Sequence, residues 1–271
     1  MRLWKRRFDL AILPRWDIDY YHGSFLAYFS GARQRLSYSE YVKTNKHKRN
    51  NAYDKLFTHV IMDSLLKHEA ERNLEVIKFL GGQVKNVNLE LWPDKNDDNF
   101  VRSLFEHNNL SRDSFIIGIG LGAREAKRAW PVGRYLGLIA EISKNKNIKI
   151  ITMGDRDEIN LGEYIEEHID ECIRDRVTNI IGKTTLRQLA CVLRYCKLYI
   201  GNDTGIMHIA AAMSVPVLEI SSWPESGNRF SDKSPYRFGP WKVNHIVVNP
   251  DNPIPPCKDE CRASKPHCIY R

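Results

Sequence analysis

From residue 115 to residue 220 the chain alternates short apolar segments with amphipathic ones, and this alternation limits the fold more than any other feature. The apolar segments are FIIGIG, IKIITM, VTNII, KLYI and PVLEI. Between them lie stretches with the periodicity of amphipathic helices, such as VGRYLGLIAEI and TLRQLACVL. Strands that alternate with helices form parallel sheets, because each crossover helix returns the chain to the same end of the sheet. The sequence therefore predicts an α/β fold with a doubly wound parallel sheet.

The first part of the chain contains fewer segments of this kind. Residues 8–13, FDLAIL, have the composition of a buried strand, and the apolar positions within residues 56–80 have helical spacing. The polar and basic residues 43–51 predict a loop. Turn residues follow the strand-like VNLELW and suggest a boundary. We therefore predict two domains, residues 1–110 and residues 111–271.

The charge of the chain limits its partners but does not identify them. The sequence has 41 Lys and Arg against 33 Asp and Glu, and a net charge of +8 favours nucleic acid, phosphorylated metabolites or acidic membrane surfaces. The N-terminal apolar stretch is interrupted by Asp9 and closed by Pro14, so it is too short for a signal peptide or a membrane span. These features predict a cytoplasmic protein whose six cysteines are reduced.

The turn GNDTG, between the apolar segments KLYI and PVLEI, has the composition of a ligand site. Ligands of parallel sheets bind at the carboxyl ends of the strands, where this turn lies. Asp203 or Thr204 can cap the following helix, and Gly205 allows a ligand to approach the backbone. The helix N-terminus favours a phosphate, and His208 shares a face with Thr204. The alternative is an ordinary helix cap with a core histidine.

Two further loops follow predicted strands, at residues 120–131 and 153–158. The first, GLGAREAKRAWP, combines glycines that expose backbone N–H groups with the cations Lys127 and Arg128. A solvated basic loop explains the same composition. If the two loops and the GNDTG turn meet at one edge of the sheet, they form an anion site.

The segment GNDTGIMHIAAAMSVPVLEI resembles the signature of glycosyltransferase family 9, the heptosyltransferase type. The shared pattern is Asp-Thr-Gly, two residues, His, one residue, two alanines and then a strand that starts with Pro. GLGAREAKRAWP is similar to the Gly-Ala…Lys…Trp-Pro loop of that family, and PPCKDECRASKPHCI is similar to its Cys-containing tail. Together these matches cover about residues 114–269.

The resemblance implies the GT-B fold, with two Rossmann-like domains that contain parallel sheets. It implies a C-terminal domain that binds a nucleotide-diphosphate sugar, an N-terminal domain that binds the acceptor, and inverting transfer without a metal or a cofactor. Lys127 would contact the diphosphate, and Asp203 would cap the helix or orient Lys127. For His208 a structural role remains open beside a place in the donor site. The donor residues that the resemblance implies are Gly122, Lys127, Asp203, Thr204, Gly205 and His208.

The chain departs from the family pattern at both ends. The first strand of the N-terminal domain, and the glycine-rich loop with the usual catalytic Asp, have no counterpart, and neither does the final helix. We therefore expect an incomplete N-terminal domain. Asp17 and Asp19 follow a predicted strand and could supply the base that an acceptor hydroxyl needs, and Arg15 could bind an acceptor anion. The alternative is that both are surface acids in a loop.

The C-terminal tail contains four residues of the types that bind zinc, namely Cys257, Cys261, His267 and Cys268. Zinc sites usually combine two close pairs of ligands, but here the second pair is adjacent in sequence and cannot easily ligate together. We therefore expect thiols and no metal in this tail.

Taken together, these features predict an enzyme that transfers a heptose-like sugar from a nucleotide-diphosphate donor to a bacterial envelope polysaccharide or lipopolysaccharide acceptor. The acceptor is expected to be a saccharide or a lipid-linked saccharide, with peripheral contact to the inner membrane. The alternative is a protein that binds nucleotide sugars without catalysis. Nucleic-acid binding would rest on charge alone, and no recognition motif supports it, so no nucleic-acid partner is expected.

Overall fold

The computed structural model describes residues 4–111, 113–255, 257 and 268–270. The chain divides into two compact units, Met1–Val87 and Asn88–Arg271. This division comes earlier in the chain than the boundary predicted after residue 110. The reason is the helix Lys95–His107, whose Val101 and Phe105 side chains belong to the core of the second unit.

The first unit contains a parallel sheet of three strands in the order β1-β2-β3. Its elements are β1 (Leu10–Leu13), α1 (Gly23–Phe29), β2 (Gln34–Tyr38), α2 (Thr44–Arg49), β3 (His59–Ile61) and α3 (Glu69–Phe79). The core is small, and its buried members are Trp16, Leu36, Tyr38, Val42 and Val76. The strand predicted at residues 8–13 is present as β1, but it is shorter than predicted and it is not buried, since Leu10 and Ile12 are exposed.

Residues 43–51 were predicted to form a loop, and this prediction is wrong for most of the segment, because residues 44–49 form α2. Lys46 explains why a basic segment becomes a packed helix. Its side chain is buried, and Nζ donates to the backbone oxygens of Arg15 and Tyr38 at 2.7 and 2.8 Å. Burial lowers the pKa of Lys46 to about 8, and the nearby Asp54 and Asp17 act in the opposite direction.

The second unit is built around a six-stranded parallel sheet in the order β6-β5-β4-β7-β8-β9. Its strands are β4 (Phe115–Gly120), β5 (Ile148–Met153), β6 (Val177–Asn179), β7 (Cys196–Asn202), β8 (Val217–Ile220) and β9 (His245–Val248). Its helices are α4 (Lys95–His107), α5 (Val132–Ile142), α6 (Ile159–His168), α7 (Glu171–Arg174), α8 (Leu186–Leu193), α9 (Gly205–Ala212) and α10 (Pro235–Phe238). The doubly wound parallel sheet predicted from the sequence is confirmed.

Both faces of this sheet are covered, as is usual for parallel strands. One face packs against α4, α8 and α9, and the other packs against α5 and α6. Glycines in the central strands make room for a large side chain on the first face. A Cβ on Gly120 would lie 2.2 Å from Tyr199 Oη, and one on Gly201 would lie 2.5 Å from the same atom. The carboxyl ends of β4 and β7 therefore lie over a buried tyrosine.

None of the helices in the described part of the chain is long and apolar enough to cross a membrane.

Candidate functional site

The carboxyl ends of β4, β5 and β7 open into a cleft of ≈ 250 Å³. Its walls come from residues 120–128 after β4, residues 155–158 after β5 and residues 203–206 after β7, and Leu186 at the start of α8 completes it. The structure thus brings together the three loops that the sequence singled out. Gly122, Asp203, Thr204 and Gly205 line the cleft.

The turn between β7 and α9 presents a helix end to this cleft. Thr204 occupies the N-cap position with extended backbone, but its side chain makes no capping hydrogen bond. Gly205 begins the helix, and a Cβ at this position would meet no atom within 4 Å. The N–H groups of a first helical turn have no acceptor within their helix. This end of α9 therefore offers backbone donors beside open space.

Asp203 does not cap the helix, so that prediction is wrong. Its carboxylate is bonded to Nη2 of Arg128, and the same nitrogen lies 3.2 Å from the Asp203 backbone oxygen. The guanidinium supplies a charged partner, and hydrogen bonds of this kind are stronger than those to a neutral backbone N–H. Asp203 therefore holds the Arg128 guanidinium near the N-terminus of α9.

Lys127 lies differently from Arg128, although the two are adjacent. Its Nζ is 3.2 Å from Glu125 Oε2, and Glu125 also lies 3.8 Å from Lys233 Nζ. Arg128 is among the residues that line the cleft. The prediction that Asp203 orients Lys127 is therefore wrong, since Asp203 holds Arg128.

Glu158 is a cleft residue that the sequence analysis missed. Its Oε2 accepts a hydrogen bond from the Asp155 N–H at 2.9 Å, as part of a capping box. A Cβ on Gly122 would lie 1.7 Å from Glu158 Oε1, so Gly122 makes room for this side chain. Burial raises the pKa of Glu158 above its usual range. The glutamate at the third position after Asp155 was a detectable signal of the capping box.

His208 lies on the first turns of α9, with Nε2 3.7 Å from Asp203 Oδ1. Burial lowers the pKa of His208, and Asp203 acts in the opposite direction. A histidine with a lowered pKa is neutral at pH 7, so it can exchange hydrogen bonds with a ligand without adding a charge.

Asn202, the last residue of β7, connects the elements that form the cleft. Its Oδ1 accepts from the Trp130 N–H and from the Tyr135 hydroxyl, each at 3.1 Å. Its Nδ2 donates to the Ile220 backbone oxygen at 2.8 Å. Because Asn202 is buried, these bonds fix the Lys-Arg loop relative to β7 and β8. In the sequence Asn202 is indistinguishable from an ordinary turn residue, so this role could not be predicted.

In the first unit, Asp17 and Asp19 are both buried and hydrogen-bonded. Asp17 Oδ2 lies 2.9 Å from Lys43 Nζ, and its Oδ1 accepts from the Ile18 N–H. Arg15, the predicted acceptor cation, is exposed after β1, and its Nε donates to the Ile18 backbone oxygen at 3.1 Å.

Asp19 is placed at the start of α1. Its carboxylate accepts hydrogen bonds from the Gly23 N–H, the Ser24 N–H and the Ser24 hydroxyl, at 2.8–2.9 Å. Burial, the largest single effect, raises the pKa of Asp19, but these hydrogen bonds together lower it. A carboxylate with a lowered pKa is a weak base, so this environment suits the stabilisation of a helix end.

Within the ranges that the structure describes, no group of three or more His, Cys, Asp or Glu side chains is arranged to hold a metal ion. Cys257 and Cys268 are buried, and Cys268 Sγ accepts from the Ile254 N–H at 3.4 Å. Cys261 and His267 lie outside the described residues.

Comparison with known proteins assigns the chain to a family. A family model described as glycosyltransferase family 9 (heptosyltransferase) matches residues 16–267. The lipooligosaccharide heptosyltransferase 2 of Haemophilus influenzae is 32% identical over 123 residues, which are 44% of this chain and 35% of the relative. The lipopolysaccharide heptosyltransferase 3 of Escherichia coli K12 is 24% identical over 175 residues, 64% of this chain and 49% of the relative. The chain thus spans a third to a half of the length of these relatives.

Solved structures share the fold. A glycosyltransferase family 9 protein from Veillonella parvula matches with a TM-score of 0.70 and 19% identity, over 91% of this chain and 64% of its own. The E. coli ADP-heptose heptosyltransferase II matches with a TM-score of 0.65 and 17% identity, over 99% of this chain and 74% of its own. E. coli heptosyltransferase WaaC, solved with ADP, matches with a TM-score of 0.61 and 18% identity, over 92% of this chain and 69% of its own. The predicted GT-B fold class is confirmed.

Proposed function

The chain belongs to glycosyltransferase family 9, and from this membership we propose that the cleft of the second unit binds a nucleotide-diphosphate sugar for transfer to a bacterial envelope saccharide. The observation that carries the proposal is the pairing of Arg128 with Asp203 beside the open N-terminus of α9. A fixed guanidinium and a helix N-terminus are two independent attractions for a diphosphate. Arg124 lines the same cleft and adds a further cation.

The charges of the cleft favour one orientation of the donor. The diphosphate would lie at Arg128, Thr204 and Gly205, where the helix end is open and the Asp203 carboxylate is already paired with the Arg128 guanidinium. It would avoid Glu158, since like charges repel in a partly buried site. Glu158 is better placed to accept hydrogen bonds from nucleoside hydroxyls, and Leu186 provides apolar contact nearby. His208 and Lys127 remain proposed donor contacts at the margin of this arrangement.

The proposed reaction is an inverting transfer. The acceptor oxygen forms a bond to the anomeric carbon while the bond from that carbon to the diphosphate breaks, and the acceptor proton passes to a base. Negative charge develops on the leaving diphosphate, and Arg128 with the N–H groups of α9 would stabilise it. These groups supply the positive charge at the leaving group, so we expect transfer without a metal or an organic cofactor.

For the acceptor and the location, the named relatives guide the proposal. They are lipopolysaccharide and lipooligosaccharide heptosyltransferases, and one solved relative is the E. coli ADP-heptose heptosyltransferase II. We therefore propose a heptose-like donor sugar and a lipid-linked saccharide acceptor at the cytoplasmic face of the inner membrane. The net charge of +8 agrees with an anionic acceptor of this kind.

A second candidate is nucleotide-sugar binding without transfer by this chain alone. It is supported by the contacts of Asp17 and Asp19, which hold both carboxylates in ion pairs or hydrogen bonds within the first unit. Turnover separates the two candidates. If the chain consumes ADP-heptose with a lipid-linked acceptor, transfer is established, and loss of that consumption in an Asp17→Asn or Asp19→Asn variant that unfolds at the wild-type temperature would locate its base. If donor binds and no consumption occurs, the second candidate holds.

Donor binding is tested by calorimetry with ADP in the presence of EDTA. Arg128→Ala should weaken ADP binding by about 1.5–3 kcal/mol, the range for a hydrogen bond to a charged group. Lys127→Ala is the comparison variant: Lys127 pairs with Glu125 and is a donor contact only at the margin of this arrangement, so its loss should change the affinity less. If wild type and Arg128→Ala bind ADP with equal affinity, the diphosphate does not lie at this end of the cleft. If Lys127→Ala loses more affinity for ADP than Arg128→Ala does, Lys127 contacts the diphosphate, as the sequence predicted.

A further inference from the structure

Helix α1 has its large apolar side chains on the outside. Only Ser24 and Ala27 are buried among its residues, whereas Leu26 is 64% exposed, and Phe25, Tyr28 and Phe29 are 39–44% exposed. A surface helix of a globular protein normally shows the reverse, with apolar residues toward the core and charges outward. Helix α1 contains no charged residue. Its composition therefore suits contact with something other than water.

The three aromatic side chains of α1 contact one another. The rings of Phe25 and Phe29 stack with centroids 6.5 Å apart, and those of Tyr28 and Phe29 meet edge to face at 5.4 Å. Tyr21, just before the helix, is 89% exposed. We call Tyr21, Phe25, Leu26, Tyr28 and Phe29 the aromatic surface. Contiguous apolar patches of this kind usually mark an interaction site.

The surroundings of the aromatic surface are positively charged. The Arg35 guanidinium lies 5.4 Å from the centroid of the Tyr28 ring, and Arg33 is exposed on the adjacent segment. Residues 1–58 contain 12 Lys and Arg against 5 Asp and Glu, and so hold seven of the eight net positive charges of the chain. The apolar side chains and the excess charge therefore occur in the same part of the sequence.

We propose that the aromatic surface binds an anionic lipid bilayer. Tyrosine and phenylalanine are suited to the boundary between acyl chains and headgroups, and basic residues beside them attract acidic lipids. The positive charge gives complementarity to such a bilayer, whereas a second copy of the same basic segment would be repelled. This inference extends the proposed function, which needs a lipid-linked acceptor, because it names the surface that holds the chain at the membrane.

Vesicle flotation tests the inference without donor or acceptor, so its outcome is separate from that of ADP calorimetry. The chain should float with vesicles of phosphatidylglycerol and phosphatidylcholine, less with phosphatidylcholine alone, and less at high salt. The double variant Tyr21→Ser, Leu26→Ser should bind about tenfold more weakly, since two apolar side chains are lost from the interface. Both residues are among the most exposed large apolar side chains that the structure describes, so unchanged thermal unfolding and unchanged ADP binding are expected.

Trp92→Ser is the matched control, because Trp92 is 74% exposed and lies in the second unit. It should bind vesicles as the wild type does. Arg33→Gln should reduce binding to anionic vesicles and leave the weak binding to neutral ones unchanged. The inference is overturned if anionic vesicles do not bind, or if the double variant binds like wild type. Light scattering that shows self-association, lost in the double variant while vesicles do not bind, would assign the surface to a second copy instead.

Discussion

At the scale of single residues, Glu219 is a carboxyl group that the fold holds away from water. It lies on β8 in register with Gly201 of β7 and is fully buried. Within the described part of the chain neither of its carboxylate oxygens has a hydrogen-bond partner of standard geometry. Burial, and then the charge of Asp203, raises the pKa of Glu219 to about 8, while the nearby Ser221 and Arg128 act in the opposite direction. Glu219 is therefore mostly protonated at pH 7.

Glu219→Gln should remove a pH dependence of stability. Between pH 4.5 and pH 8 the folded chain holds a proton on Glu219 that the unfolded chain has released, so the free energy of unfolding falls as the pH rises. The amide cannot ionise. We expect wild type and Glu219→Gln to be similar near pH 5 and the variant to be more stable at pH 8, by on the order of 1.4 kcal/mol per unit of pKa difference.

Urea unfolding at several pH values measures this difference, and Glu225→Gln on the surface is the matched control. Parallel stability curves for wild type and Glu219→Gln across this range would show that Glu219 does not titrate with folding.

At the scale of elements, the turn from β7 to α9 has separate structural and ligand-binding parts. Asn202 holds Trp130, Tyr135 and β8 in place, whereas a Cβ on Gly205 would meet no atom within 4 Å beyond its neighbours in the chain and the backbone of α9. A substitution at Gly205 therefore affects the space of the cleft and leaves the packing of the unit unchanged.

Gly205→Ala should weaken ADP binding without loss of stability. The new methyl group would project into the cleft, where no protein atom lies within 4 Å, and so would occupy the space proposed for the diphosphate. Alanine is a better helix former than glycine by up to about 1 kcal/mol, so the free energy of unfolding should stay equal or rise. Calorimetry and urea unfolding of the same preparation check both parts. Unchanged ADP affinity in a folded variant would mean that the diphosphate does not approach α9.

The difference between what the sequence predicted and what it missed follows from the range of the interactions. Strands and crossover helices depend on local periodicity, so the second sheet was predictable. Helix α2 was missed because its stability comes from Lys46 and two distant carbonyl groups. The partner of Asp203 was missed because Arg128 is 75 residues away in sequence and adjacent to a second cation. Local pattern locates a loop, but only the fold decides which of its side chains meet.

At the scale of the whole molecule, the two units differ in the size of their cores. The hydrophobic cluster described in the first unit contains five buried side chains, while two larger clusters cover the two faces of the second sheet. Strand β1 is an edge strand of the first sheet, and Leu10 and Ile12 on it are 36% and 40% exposed. Small cores and open edges favour local opening.

Amide hydrogen exchange of the free chain should therefore be faster in β1 and β2 than in β4, β5 and β7. The central strands of the second sheet have neighbours on both sides and are covered on both faces, so their amides should exchange only with large-scale opening. Equal protection of the two sheets would show that the stability of the first unit comes from a source other than its own core.

Hydrogen exchange with and without saturating ADP tests the central claim most directly, because it locates the nucleotide on the chain. We expect slower exchange in residues 122–128, 155–158 and 203–208, which belong to the three loops of the cleft. Residues of the aromatic surface should exchange at the same rate in both samples. Slower exchange confined to the first unit, or no change in residues 203–208 at saturation, would contradict the placement of the diphosphate at the N-terminus of α9.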